Sequence, residues 1–191
     1  MHRRSVLLSV VLVLGLCPLL SATTINMVIS GTLGPVLSGS DPLGGNGQSG
    51  SINVAVSESL KPTSRSGSTV TYTLPPGAIT VVIGGTTYGS PNNSTMKITA
   101  PASGSDVVVL STKVTYHGIS GTVVGTAYLA NKSFSNTVFT HPVPFKPSPQ
   151  PLTAATSATG PGSKVKYTIF GSSTVLGFAG TASNTTMQRT H

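Results

Sequence analysis

The residues whose chemistry suits catalysis or metal binding are few once the leading apolar stretch is set aside. They are three histidines and three carboxylates: His117, His141 and His191, with Asp41, Glu58 and Asp106. No two histidines have the H-x-x-x-H spacing of a metal pair, and no cysteine follows Cys17 to complete a zinc set. Each carboxylate adjoins turn residues, which favours turn capping or strand flanking over a glycosidase pair.

Of two sequence motifs typical of enzymes, one is absent and the other lies in the wrong structural context. A serine hydrolase elbow of the form G-x-S-x-G does not occur. "GNGQSG" at 45–50 matches G-x-G-x-x-G, but an alternating strand follows it, where dinucleotide binding needs a helix N-terminus. We therefore predict a protein that is not an enzyme, with no catalytic, cofactor-binding or metal-binding residues and no cofactor. A hydrolase whose Ser, His and Asp meet only on folding is the third-ranked alternative.

His117 lies in "KVTYHGISGTVVGTAYLAN" at 113–131, between alternating side chains and a glycine. Strand parity places it with Lys113 on the solvated face, opposite Tyr116. A similar stretch, "KVKYTIFGSSTVLGFAGTAS" at 164–183, has Thr168 at the equivalent place, and a looser third copy begins at Val70. Duplication and convergent composition both explain this echo. We predict that His117 belongs to a hairpin and that its replacement by Thr changes stability by no more than about 0.5 kcal/mol.

The rest of the chain predicts strands. Ser and Thr make up more than a quarter of the residues, and apolar side chains alternate in segments such as "SINVAVS" and "STVTYTL". "ITVVI" and "DVVVL" are continuous apolar runs, typical of strands covered on both faces. Turn residues recur every eight to twelve positions or so. The pattern predicts an all-β fold, a β-sandwich, immunoglobulin-like or similar, of roughly 8–10 short antiparallel strands.

The N-terminus predicts export. "MHRRS" is basic, "VLLSVVLVLGLCPLL" is apolar, and Ser21 and Ala22 are small, as in a secretory signal peptide. We expect residues 1–22 to be removed, leaving a secreted, periplasmic or extracellular domain at 23–191 without a disulfide or a stable membrane anchor. Prolines crowd 141–151, which predicts a crossover within this single domain in preference to a linker.

The formal net charge is +8 for the whole chain. Beyond residue 22, nine Lys or Arg face three Asp or Glu, a balance of +6. Apart from Lys164 and Lys166 in "KVK", the cations are scattered singly and are not interleaved with aromatic residues, so we predict no nucleic-acid partner. Their first interpretation is as solubilising residues on strand faces and edges, and the second is attraction to anionic polysaccharide or cell-surface phosphate.

Aromatic residues are sparse and Trp is absent, which weakens the case for a sugar-stacking platform. Tyr88, Tyr128 and Phe145 are the candidates for ligand contact. Such contacts would identify a carbohydrate-binding or surface-polymer-binding module if the rings lined up on one exposed face. A binding module of this kind is the second-ranked function. The first-ranked function is a non-catalytic structural or interaction module whose ligand the sequence does not identify.

The stretch "GTLGPVLSGSDPLGGNGQSG" at 31–50 resembles the start of uncharacterised secreted β-rich proteins of environmental bacteria, some of which end in a PEP-CTERM sorting tail. The resemblance covers about twenty residues and implies export and a β-rich fold. The chain ends in "ASNTTMQRTH", without the apolar anchor and basic cluster of such a tail. Release in preference to retention is the expectation that follows.

Overall fold

The computed structural model describes residues 24–57, 60–101, 103–129, 154–157, 163–169, 171–178 and 184–190. Thirteen strands and no helix occupy them. The strands are β1 Thr24–Ser38, β2 Ser49–Ser57, β3 Ser64–Ser66, β4 Thr69–Leu74, β5 Ile79–Ile83, β6 Thr86–Gly89, β7 Ser94–Thr99, β8 Asp106–Tyr116, β9 Ile119–Leu129, β10 Ala154–Ser157, β11 Lys164–Ile169, β12 Ser172–Phe178 and β13 Asn184–Thr190.

All strand pairs are antiparallel, and the first strand connects them into one continuous sheet. Residues 24–32 of β1 pair with β2, and residues 24–30 also pair with β13. From Leu33 to Ser38 the same strand pairs with β12 instead. We call β10–β13–β1–β2–β5–β6 half A and β3–β4–β7–β8–β9–β11–β12–β1 half B.

The change of partner along β1 coincides with irregular pairing. The register between β1 and β12 shifts between Leu33 and Val36, and again between Val36 and Ser38. Such bulges bend a strand and increase its twist. The Gly34–Pro35 peptide bond within this stretch is cis. One strand therefore serves both halves because its pairing is interrupted in the middle.

Alternation places one side of each half in a common core. The buried side of β2 carries Ile52, Val54 and Val56, and that of β8 carries Val108, Leu110 and Val114, each 5% exposed or less. The halves meet directly at Gly125 of β9, where an added Cβ would collide with Cδ1 of Ile52. Glycine is favoured there because the two pleated surfaces approach closely, and a side chain would displace the end of Ile52.

The all-β class predicted from the sequence is confirmed, whereas the sandwich type remains a prediction. The strands are more numerous than the 8–10 expected, and three are long: β1 has 15 residues, and β8 and β9 have 11 each. The prediction that "ITVVI" and "DVVVL" are covered on both faces is wrong. Both strands alternate buried with half-buried residues. Their outward valines are therefore partly accessible.

Two of the three similar stretches form β-hairpins, β8–β9 and β11–β12. Tyr116 pairs with Ile119 across one two-residue turn, and Ile169 pairs with Ser172 across the other. Gly118 thus corresponds to Gly171, whereas Thr168 lies within β11, so the predicted equivalence of Thr168 and His117 is wrong. The third copy is not a hairpin, because β4 pairs with β7 in half B and β5 pairs with β2 in half A.

The predicted leader at 1–22 and the proline-rich segment at 141–151 lie outside the described residues. Among the residues that are described, no helix has the length and apolar character needed to cross a bilayer.

Candidate functional site

Asp41 anchors the loop that joins β1 to β2. One carboxylate oxygen accepts the Asn46 backbone N–H at 2.8 Å, and the other accepts the hydroxyl of Tyr167 from the inner side of half B. Thr174 donates its hydroxyl to the carbonyl of Ser40 in the same loop. The prediction that Asp41 caps a turn is confirmed, and its oxygens are engaged in holding the loop against half B.

Asp106 is not in a turn but is the first residue of β8, with its side chain 0% exposed. His117 is exposed, and its ring lies edge-on to the Tyr116 ring with centroids 4.2 Å apart. Glu58, His141 and His191 lie outside the described residues. No group of three His, Cys, Asp or Glu side chains capable of holding a metal ion occurs in the described ranges.

The two described aromatic candidates, Tyr88 and Tyr128, do not share one exposed face. Tyr88 is only 9% exposed, and its ring centroid lies 6.2 Å from that of Tyr116. Burial first, and the neighbouring Tyr116 second, raise the pKa of the Tyr88 phenol. Tyr128 is half-buried on the outward side of β9, and Phe145 lies outside the described residues. Tyr88 therefore belongs to the core, and of the two described candidates Tyr128 is the one on an accessible face.

The outward face of half B carries a group of exposed lysines that the sequence did not show to be neighbours. Four exposed lysines project from it, on β7, β8 and β11: Lys97, Lys113, Lys164 and Lys166. We call the outward side of β4, β7, β8, β9, β11 and β12 the lysine face. Its remaining residues are mostly Thr, Ser and Val, such as Thr126 and Val109, and these are largely half-buried. The lysine side chains are therefore more exposed than the short side chains around them.

The strand register defines the spacing of this array. Lys97 pairs with Val109, Val109 with Thr126, and Thr126 with Lys164, so these four residues form one row. Three strand separations make Lys97 and Lys164 about 14 Å apart at the backbone, and Lys164 and Lys166 are about 7 Å apart along β11. A parallel row contains Thr95, Ser111, Val124 and Lys166.

Hydroxyl groups on the lysine face also bond across strands. The Thr69 and Thr99 hydroxyls lie 2.9 Å apart, and Thr168 donates to the Ser173 hydroxyl at 3.4 Å. Such cross-strand pairs stabilise the sheet. Six strands side by side span about 24 Å at the strand spacing of a sheet.

The outward side of half A differs, because it forms an uncharged groove of about 330 Å³. Seven residues line the groove: Ser30, Gly31, Thr32, Ser49, Gly50, Ser51 and Val82. They come from β1, β2 and β5, close to the point where β1 changes partner. The groove contains no aromatic or ionisable side chain to orient a ligand.

Comparison with known proteins does not assign the chain to a family. No protein-family model, curated protein or solved structure matches the chain. The resemblance of residues 31–50 to secreted bacterial proteins therefore stays a prediction.

The sequence contained a signal for the lysine face, although we interpreted its cations as scattered. Lys97, Lys113 and Lys164 each lie one residue from a buried apolar residue of a strand, which assigns them to the outward side by parity. What parity does not provide is which strands are neighbours. The pairing β7–β8–β9–β11 places these residues on one surface.

Proposed function

We propose that this protein is an exported, non-catalytic interaction module that binds an extended extracellular polymer along the lysine face. The observation that carries the proposal is the continuous outward surface of six adjacent strands in half B. Export rests on the predicted leader at 1–22, and the non-catalytic character on the engagement of Asp41 and the burial of Asp106.

The shape of the face favours a polymer over a small ligand. Small molecules bind in concave sites that enclose most of their surface. The rows on half B instead present short side chains at regular spacing, which suits a chain lying across many strands. The hydroxyls of Thr95, Ser111 and Thr126 are placed to hydrogen-bond a hydroxylated polymer, since each of these residues is half-buried and faces outward.

Affinity electrophoresis of the full chain through gels containing polygalacturonate, dextran sulfate or dextran tests this function. We expect at least one polymer to retard the protein while remaining uncleaved. Val124→Trp places a bulky ring in the middle of the lysine face and is expected to reduce the retardation about tenfold. The matched control is Val82→Trp, which alters a half-buried outward valine of half A.

Loss of binding in Val82→Trp but not in Val124→Trp would move the site to the groove of half A and contradict the proposal. Failure of the whole polymer series to retard the wild-type protein would also contradict it. Release of reducing ends from any of the polymers would exclude a non-catalytic role.

A further inference from the structure

We infer that the polymer is an acidic polysaccharide, held by Lys97, Lys113, Lys164 and Lys166 as point charges on the lysine face. This inference rests on the proposed function and specifies the chemical class of its ligand. It concerns four residues on β7, β8 and β11, which the strand order β7–β8–β9–β11 places on one face of the sheet.

The four lysines are exposed, and their charges are spread over the face in two directions. Lys164 and Lys166 lie about 7 Å apart along β11, whereas Lys97 lies three strand separations, about 14 Å, from Lys164. Lys113 pairs with Thr122, which in turn pairs with Thr168, two residues beyond Lys166. Charges distributed in this way match a ligand with repeated anionic groups better than a single anion.

The carboxylates of the described residues do not neutralise this face. Asp41 lies in the loop after β1 and is bonded to Asn46 and Tyr167. Asp106 points into the core from β8 and is 0% exposed. The described part of the face therefore carries four positive charges and no negative one, and charge complementarity selects a polyanion.

The groups between the lysines favour a polysaccharide over a nucleic acid. Proteins that bind single strands interleave cations with aromatic rings for base stacking. Tyr128 is the one aromatic residue on the described part of this face. Arginine, with its bidentate geometry for phosphate, is absent from the described face, because Arg65 pairs with the buried Val70 and has the opposite parity. The rows of Thr and Ser hydroxyls suit a ligand rich in hydroxyl groups.

The test compares two double variants that remove the same charge from different places. Lys164→Gln/Lys166→Gln alters the lysine face, and Lys61→Gln/Arg65→Gln alters exposed cations off it. If each lysine contributes about threefold in affinity, as exposed ion pairs do, the face variant binds polygalacturonate about tenfold more weakly. The fourfold variant, with Lys97→Gln and Lys113→Gln added, is then expected to lose about a hundredfold. The off-face variant is expected to change by less than about twofold, since salt screens distant charges.

Two further measurements on the same proteins test whether charge drives binding and whether each variant is folded. Wild-type affinity for polygalacturonate falls as salt rises, and the slope against the logarithm of salt concentration is smaller in the fourfold variant, because fewer ions are released on binding. Near-ultraviolet and far-ultraviolet spectra check that each variant is folded, and the double variants suffice if the fourfold variant is not.

If both double variants lose the same affinity for polygalacturonate, binding depends on net charge and not on the lysine face, and the inference is overturned. Tighter binding of duplex DNA than of polygalacturonate would replace the polysaccharide by a nucleic acid. Binding of neutral dextran that is unaffected by the lysine changes would refute the acidic ligand while leaving the proposed function standing. Absence of binding to any polymer would refute the proposed function itself.

Discussion

His117 occupies the first position of the two-residue turn between β8 and β9. Its φ is +47° and that of Gly118 is +77°, which are the left-handed values of a type I′ turn. Such values are tolerated by His, Asn and Asp but disfavour β-branched residues. The edge-on contact with the Tyr116 ring adds to the local packing. The backbone therefore decides which replacements the turn accepts.

Substitution at this position is expected to depend on backbone preference. His117→Asn should keep or raise stability by a few tenths of a kcal/mol, because Asn-Gly is the favoured pair of a type I′ turn. His117→Thr should cost about 1 kcal/mol, since a β-branched residue is strained at positive φ. This replaces the sequence-based expectation that Thr is neutral here. Urea unfolding of both variants measures the order, and a Thr variant as stable as the Asn variant would contradict the type I′ geometry.

Tyr72 is a buried residue whose hydroxyl group is not paired among the described residues. Its side chain is 0% exposed, and its hydroxyl has no hydrogen-bond partner in the described part of the chain. Burial raises the pKa of this phenol from 10.0 to about 12, and Arg65 opposes the rise. Because the folded state keeps the proton that the unfolded state releases, stability falls as pH rises between about 10 and 12.

Tyr72→Phe is expected to raise the free energy of unfolding by about 1 kcal/mol at neutral pH, because it removes a buried group without a partner. The variant should also lose less stability than the wild type between about pH 10 and 12. Tyr167→Phe is the matched control: it removes a hydroxyl bonded to Asp41 and should cost about 1 kcal/mol. Thermal unfolding in parallel tests both, and a destabilised Tyr72→Phe protein would show that the hydroxyl is satisfied.

At the scale of strands, β9 is adapted to close approach on its inner side. A Cβ at Gly125 would overlap the end of the Ile52 side chain from half A. A Cβ at Gly121 would collide with Cγ1 of Ile169 and lie 2.9 Å from the carbonyl oxygen of Thr168, both in the neighbouring β11. The obstacle at Gly125 is a side chain of half A that can be shortened, whereas the obstacles at Gly121 belong to half B and include backbone. The two glycines should therefore respond differently to a change at Ile52.

Gly125→Ala is expected to destabilise the fold by about 1–3 kcal/mol through overpacking. Its cost should fall in an Ile52→Val background, which removes the colliding Cδ1 atom and alone costs about 1 kcal/mol. The cost of Gly121→Ala should be unchanged by the same background. A double-mutant cycle from urea unfolding measures the coupling, and additive effects at Gly125 and Ile52 would show that the halves do not meet there.

At the scale of the whole molecule, β1 ties half A to half B. The same strand pairs with β2 and β13 and then with β12, so detachment of β1 removes strand pairs from both halves. Val54 in half A and Val108 in half B line the same buried cluster. The described halves should therefore unfold together.

Val54→Ala and Val108→Ala are each expected to cost about 2 kcal/mol and to shift a single transition. Far-ultraviolet circular dichroism and tyrosine fluorescence followed through urea unfolding should give coincident curves for both variants. A variant in which the two signals separate would show that one half unfolds while the other persists.

Several features of this protein are determined by the sequence alone because they are local. Period-two alternation in segments such as 52–56 identified strands and their buried side, since successive residues of a strand face opposite ways. Gly118 marked the β8–β9 hairpin, because glycine permits the positive φ that the turn requires. The all-β class and the turn role of Asp41 follow from patterns of this kind.

Other features depend on which distant strands become neighbours, and no local pattern encodes that choice. Lys97 and Lys164 are far apart along the chain, yet only β8 and β9 separate their strands in the sheet. Burial of Asp106 and the failure of Tyr88 and Tyr128 to share a face have the same origin. Strand order is set by the packing of all inner faces into one core, a property of the whole chain, and so the tertiary structure alone decided that the lysines form one surface.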